Sequence, residues 1–296
     1  MSSAKIKWLA LILMIVDHIY YYIPNMPIIF AWIGRISFPL FLFIMVWGFY
    51  YTKSKKVYLI RLYIFSLFAN LIFTLTERHV DINYNYGKSL NPNIFRTYFT
   101  TCVFILFVEL YKKNDKDFSK YLSLYICWQI TMIVIFQNFC GDGLFNNLQF
   151  LNALGGTVAY VEGGLTFVLL GVIFYFSKDN KKLLAFNYIF FCFIYMNITL
   201  RNFVPRFTRI IENKVDVIGE LLRALFEYIL GLSPRSTTGF SFESLLFNEY
   251  QWMMIFALPI ILSYNNKQGR KYNKYIFYIF YPMHLCIIYL IGAMMS

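Results

Sequence analysis

Residues 9–43, LALILMIVDHIYYYIPNMPIIFAWIGRISFPLFLF, form two apolar runs joined by a turn through Pro24 and Pro27, with Asp17, His18 and Arg35 set inside those runs. Each run is long enough to read as a lipid-embedded helix, since a span takes about 20 apolar residues. An ionisable side chain in hydrocarbon costs roughly 2.5 to 3.5 kcal/mol, so such residues normally face a protein interior or a water-filled cavity and mark a functional site. This hairpin predicts a membrane fold and also where its chemistry sits.

The remainder of the chain points the same way. Its 296 residues are 59% hydrophobic, 21% aromatic and only 14% charged, too apolar for a soluble domain. The net charge of +12 comes from Lys and Arg in short clusters between apolar runs, the positive-inside pattern. Nucleic-acid binding would need a basic face with stacking platforms, so it is set aside. The five cysteines (Cys102, Cys127, Cys140, Cys192, Cys286) are odd in number, show no CxxC, and four lie in apolar runs. They read as small buried hydrophobes, with neither a disulfide framework nor a metal site. The first run follows Lys5 and Lys7 and ends in Tyr20, Tyr21 and Tyr22 without a small-residue cleavage site. It is expected to be a retained transmembrane helix.

The expected fold is all-α, a polytopic transmembrane helical bundle forming one integral membrane domain over residues 1–296. Spans are predicted at 6–23, 28–50, 57–75, 93–111, 121–137, 157–177, 183–200, 250–264 and 275–294, about nine in all. Basic clusters at Lys5/Lys7, Lys53/Lys55/Lys56, Lys112/Lys113/Lys116/Lys120, Lys178/Lys181/Lys182 and Lys267/Arg270/Lys271/Lys274 set the orientation. With a cytoplasmic N-terminus the first four fall inside. The fifth does so only if the charge-rich stretch 201–249 crosses the membrane an even number of times, most simply not at all. That stretch is therefore predicted to be an extracytoplasmic insertion, and the C-terminus to lie outside. Within 215–232, Val217, Ile218, Leu221, Leu222, Leu225, Ile229 and Leu232 form one apolar stripe opposite Glu220, Arg223 and Glu227. This fits an outer amphipathic or re-entrant helix; a tenth span is the competing reading. The loops 76–92 and 138–156, rich in Asn and Gly, are expected to hold turns and could grip a polar substrate.

A rise of 1.5 Å per residue places His18 about 7.5 Å below the outer end of its helix, Arg35 about 10 Å, and Glu162, read as part of the helix 157–177, about 7.5 Å. Ionisable groups on three helices thus share one level, where they can stabilise one another around a cavity. His18 suits general-base work near neutrality or, more simply, a helix-packing hydrogen bond. Adjacent helix positions point about 100° apart, so Asp17 is expected to meet Arg35 or a neighbouring backbone and not the His18 ring. Arg35 is either the counter-ion of Asp17 or a substrate contact. His284 follows Pro282 in the last helix and either caps a freed carbonyl or takes part in catalysis. Lys53, Lys55, Lys56 and Arg61 form an inner basic patch that could hold the phosphates of a nucleotide-like donor or anchor against anionic headgroups. Glu109 reads as interfacial and His79 as an outer-loop residue. Gly155-Gly156 and Gly163-Gly164 match no phosphate-loop pattern and read as helix-packing positions.

Leu9 to Ile19 with its Asp17-His18 pair, followed by Ile33-Gly34-Arg35-Ile36-Ser37-Phe38-Pro39-Leu40-Phe41, resembles the TraX family of membrane proteins. Weaker echoes follow in Asn93-Ile94-Phe95, Glu162-Gly163-Gly164 and Phe280-Tyr281-Pro282-Met283-His284-Leu285, so the resemblance runs end to end. It implies an acyltransferase, since the family's founding activity is acetylation of the N-terminus of conjugative pilin. Acetyl-CoA would be the acyl donor, without a metal, held at Lys53, Lys55, Lys56 and Arg61. His18 would act as base or transient acyl carrier, Asp17 beside it; Arg35 would stabilise the carbonyl oxygen and His284 relay a proton. Glu162 and Asn93 would lie on the substrate side. The expected partners are the lipid bilayer of the bacterial cytoplasmic membrane, acyl-CoA and an extracytoplasmic peptide or glycan acceptor. The pilin acceptor itself is not carried over, because 201–249 has no counterpart in the resemblance. Two other classes stay open: a small-molecule transporter or permease using the same buried charges, and a non-catalytic membrane partner in conjugation or secretion.

Overall fold

A computed structural model of the chain describes residues 1–83, 86–90, 93–139, 148–200, 203–232, 241–269 and 275–296. Among these residues the structure is helical throughout, with no strand. The first helix, α1 (Ser3–Tyr22), starts where the Ser2 hydroxyl accepts a hydrogen bond from the Lys5 amide and ends before Pro24. The second apolar run is two helices, α2 (Ile29–Gly34) and α3 (Ser37–Tyr51), broken at Arg35 and Ile36. Pro39 explains the break: it has no N–H for the Arg35 carbonyl four residues back, and its ring crowds that oxygen. The chain continues as α4 (Lys55–Asn83), α5 (Ile94–Lys112), α6 (Phe118–Phe139), α7 (Leu148–Leu154), α8 (Gly164–Ser177) and α9 (Lys181–Leu200). It then forms α10 (Phe203–Glu212), α11 (Asp216–Ala224), a tight helical segment from Tyr250 into α12 (Leu258–Leu262), and α13 (Tyr275–Met294).

Six of these units are long and apolar enough to cross a membrane: Ile29–Tyr51, Lys55–Asn83, Ile94–Lys112, Phe118–Phe136, Lys181–Leu200 and Tyr275–Met294. Gly164–Ser177 and Tyr250–Leu262 are shorter apolar helices, and α1 carries three charged residues, Lys5, Lys7 and Asp17. The basic clusters gather at one end of the bundle. The Ser3 amide donates to the Lys267 carbonyl (2.9 Å), Lys181 Nζ to the Leu262 carbonyl (2.8 Å), and Lys55 pairs with Glu109 (2.7 Å). Lys178 sits over the Tyr50 ring and Lys112 over Phe176. Arg270, Lys271 and Lys274 lie outside the described residues, as do Arg201, Arg235 and residues 140–147 of the loop expected at 138–156.

Several expected boundaries move. Residues 76–83, expected in an outer loop with His79, are the last two turns of α4. Glu162 lies outside the helix expected for it. Gly163 (φ +74°) and Gly164 (φ +65°) take left-handed backbone that side chains disfavour, so α8 starts only at Gly164 and Glu162 sits in the turn before it.

The described part of 201–249 packs on the bundle without a long apolar helix of its own. Helices α10 and α11 lie against each other through an Arg223–Glu212 ion pair, with Gly219 seated on Glu212. A π-helical turn (Leu225–Ile229) then docks on the start of α8. The Tyr160 amide donates to the Tyr228 carbonyl (2.7 Å) and the Thr166 hydroxyl to the Leu230 carbonyl (2.6 Å). Gly231 (φ +70°) meets Gly163 and Gly164 so closely that a Cβ on it would lie 2.7 Å from the Gly163 carbonyl carbon. Of the predicted stripe, Leu232 is buried, whereas Val217, Ile218, Leu221 and Leu225 are exposed.

Candidate active site

The centre of the site is built by one close crossing. A Cβ on Gly34 would lie 2.3 Å from Asp17 Oδ1 and 2.7 Å from Asp17 Cα, so α2 rests directly on α1 with only a hydrogen between them. That contact, together with the break after Gly34, turns Arg35 back onto α1. Its guanidinium donates to Asp17 Oδ1 through one terminal nitrogen (2.5 Å) and to Gln251 Oε1 through the other (3.2 Å), and lies 5.6 Å from the Tyr250 ring centroid. Its Nε is buried and, among the described residues, has no hydrogen-bond partner.

His18 points elsewhere. Its Nδ1 lies 2.9 Å from His284 Nε2, and His284 Nδ1 lies 2.8 Å from the Phe280 carbonyl oxygen. Both rings are buried. Asp17 and His18, adjacent in sequence, thus serve two partners: Asp17 holds the arginine, and His18 joins a histidine pair. His284 bonds the Phe280 carbonyl, not the Tyr278 carbonyl that Pro282 leaves without an N–H, and shares a hydrogen bond with His18.

These groups surround a cavity of about 300 Å³ whose walls include Asp17, His18, Arg35, Glu162, Gly231 and Gln251. Glu162 Oε2 accepts from the Tyr281 hydroxyl (3.3 Å), which itself accepts from the Ile94 amide (3.2 Å). A second cavity, about 610 Å³, runs from the basic end of the bundle and is lined mainly by aromatic and aliphatic side chains, with Lys7, Lys53 and Arg61 among its cations. The two share Met14, Phe41, Ile94 and Tyr281 as walls. Met14 is one helical turn below His18.

The expected donor patch divides. Lys53 and Arg61 line the larger cavity, and Arg61 is fixed by the Tyr278 hydroxyl (3.1 Å) and the Tyr58 ring. Lys55 is instead held by Glu109, which also accepts from the Tyr175 hydroxyl (2.5 Å), and Lys56 is exposed outside the lining. Asn93 is not among the wall residues of either cavity. It caps α5, accepting from the Arg96 amide (3.3 Å) and donating to the Ser66 carbonyl (3.0 Å). Lys7, Gln251 and Tyr281 belong to the site without having been assigned to it from sequence. Lys7 was visible as a flanking charge, and Tyr281 within a quoted motif; Gln251 had no signal, since it meets Arg35 across 216 residues. Among the described residues no group of His, Cys, Asp or Glu is arranged to hold a metal ion.

A family model described as TraX protein matches residues 2–206. The chain belongs to the TraX family. The match contains Asp17, His18, Gly34, Arg35, Lys53, Lys55, Lys56 and Glu162, and ends inside α10. The TraX match is thus narrower than the end-to-end resemblance expected, and His284 and Gln251 complete the site from beyond it. No curated protein and no solved structure matches the chain.

Proposed function

We propose that this TraX-family chain is a membrane-embedded acyltransferase, moving acetyl from cytoplasmic acetyl-CoA to an amine or hydroxyl of an extracytoplasmic peptide or glycan. One observation carries the reading: a cation-rimmed inner cavity and a polar outer cavity meet at a common wall beside His18. This is the layout needed by a reaction whose two substrates arrive from opposite sides. The inner rim, Lys7, Lys53 and Arg61, suits the phosphates of the donor, and the apolar walls suit its pantetheine arm. The thioester carbonyl would then reach the shared wall.

In the transfer, His18 accepts the proton of the acceptor N–H or O–H as the nitrogen or oxygen attacks the thioester carbon. The carbon–sulfur bond breaks, the new amide or ester forms, and the proton passes from His18 to the departing thiolate. Asp17 and Gln251 hold the guanidinium of Arg35 on two sides at the cavity wall, where its positive charge stabilises the carbonyl oxygen as negative charge builds there. Glu162 and Tyr281 face the acceptor. The topology that serves this chemistry has about nine passes, a cytoplasmic N-terminus, an outer C-terminus and 201–249 outside as an amphipathic element. Family membership fits a role at the cell envelope in conjugation-like systems, with the acceptor set by the outer element.

The test is acetyl-CoA binding to the purified chain by calorimetry. Lys7→Ala with Lys53→Ala is expected to weaken it about 10-fold or more, the half-buried Lys7 contributing about 1.5 to 3 kcal/mol and the exposed Lys53 less, because solvent screens it. Lys55→Ala with Lys56→Ala should change it little. Absence of binding to the folded wild type at millimolar donor would sink the reading.

The break between α2 and α3 favours one alternative, because discontinuous helices ending at a midplane site characterise transporters. Uptake of a labelled solute by proteoliposomes, abolished by Arg35→Gln and without acyl transfer, would establish it.

A further inference from the structure

The histidine pair fixes which nitrogen of His18 can take a proton. The Phe280 carbonyl only accepts hydrogen bonds, so His284 Nδ1, 2.8 Å away, carries a hydrogen. In the neutral ring the lone pair is then on Nε2. That Nε2 faces His18 Nδ1 at 2.9 Å, so His18 is the donor and its own Nδ1 carries the hydrogen. The remaining nitrogen, His18 Nε2, is left with the lone pair. Among the described residues it has no hydrogen-bond partner, and the His18 ring, unlike that of His284, forms part of the outer cavity wall. Each assignment follows from the one before, and all start from a main-chain carbonyl that cannot change its role.

We infer that His284 is a positioning residue that locks His18 in the Nδ1–H form and so presents Nε2 to the substrate as the base. This rests on the acyltransferase reading for its purpose, though not for its geometry. It also shortens the relay expected for His284 to one reversible hop. As His18 takes a proton at Nε2, its Nδ1 hydrogen can shift onto His284 Nε2 but no further, because the far nitrogen already holds a hydrogen against the Phe280 carbonyl. The proton returns the same way, through His18 Nε2, to the sulfur of the leaving group. Asp17 does not perform the orienting task that a carboxylate performs in Ser-His-Asp triads, because its charge is held by Arg35.

The chain has only three histidines, His18, His79 and His284, which makes the assignment measurable. The full-length protein, labelled with 15N-histidine and placed in phosphatidylcholine vesicles, is examined by solid-state NMR, where protonated and bare imidazole nitrogens resonate in separate regions. His79→Gln and His18→Gln assign the signals. The expected result is a protonated Nδ1 and a bare Nε2 on His18. In His284→Leu the hydrogen should move to His18 Nε2 and transfer should fall about 10-fold or more, as for a base held in the wrong tautomer. His284→Gln, whose amide oxygen can accept from His18, should keep the Nδ1–H form and recover part of the rate. A wild-type His18 protonated on Nε2, or one unchanged in His284→Leu, overturns the inference. The expected tautomer in a protein that transfers no acyl group would uphold it while removing the acyltransferase reading.

Discussion

His18 and Asp17 show how a single dipeptide can serve two networks. The 100° step between neighbours on a helix sends one side chain to Arg35 and the other to His284, and neither could exchange roles without rebuilding the crossing. His18→Ala is expected to leave helix content by circular dichroism unchanged while lowering acyl transfer about 10²- to 10⁴-fold, the range of a lost general base. Tyr281→Phe removes the hydroxyl that links Glu162 to the Ile94 amide at the wall common to both cavities. It should destabilise the protein by about 1 to 3 kcal/mol, because the buried Ile94 amide and the half-buried Glu162 carboxylate both lose that partner. Thermal unfolding in mild detergent checks the value, and an unshifted transition would contradict the contact. At this scale helical geometry turned Asp17 away from the His18 ring and left Arg35 or a neighbouring backbone as its partner, and the structure takes Arg35. The pairing of His18 with His284, 266 residues apart, was hidden, since nothing local to either residue points to the other.

Among the elements, the α1–α2 crossing depends on Gly34. Gly34→Ala places a methyl within 2.3 Å of Asp17 Oδ1, which forces the helices apart and lengthens the Asp17–Arg35 bond. The expected cost is about 1 to 3 kcal/mol, as for overpacking elsewhere, with a larger loss of transfer than of stability. Pro39→Ala restores the missing N–H and should let α2 and α3 run on as one helix, raising the unfolding temperature and lowering transfer because Arg35 turns away. A variant with both properties improved would show that the break is incidental. Most helices could be read to within a few residues from hydropathy. The misreading of 76–83 as loop has a physical cause: α4 has 29 residues, about 43 Å at 1.5 Å per residue, so its polar last turns emerge beyond the roughly 30 Å of hydrocarbon. Glu162 was misplaced for another reason: two glycines beside it adopt backbone that hydropathy does not register.

For the whole molecule, the gathering of basic clusters at one end was legible because lysines repeat between alternate apolar runs, and the structure places Lys55, Lys112, Lys178, Lys181 and Lys267 there. The proposed orientation predicts that, with the five native cysteines replaced by serine, a membrane-impermeant maleimide applied to spheroplasts labels Val217→Cys and spares Ser54→Cys; the reverse pattern would invert the topology. The two cavities were not legible, since a void belongs to several helices at once and to no segment of sequence. The docking of Gly231 on Gly163 and Gly164 has one further consequence. Glycine meets glycine there, main chain on main chain, so the joint records almost nothing about the side chains of the piece it carries. The socket half lies within the TraX match and the plug half beyond it. A descendant could refit this cap with a new surface while leaving the bundle under it as it was.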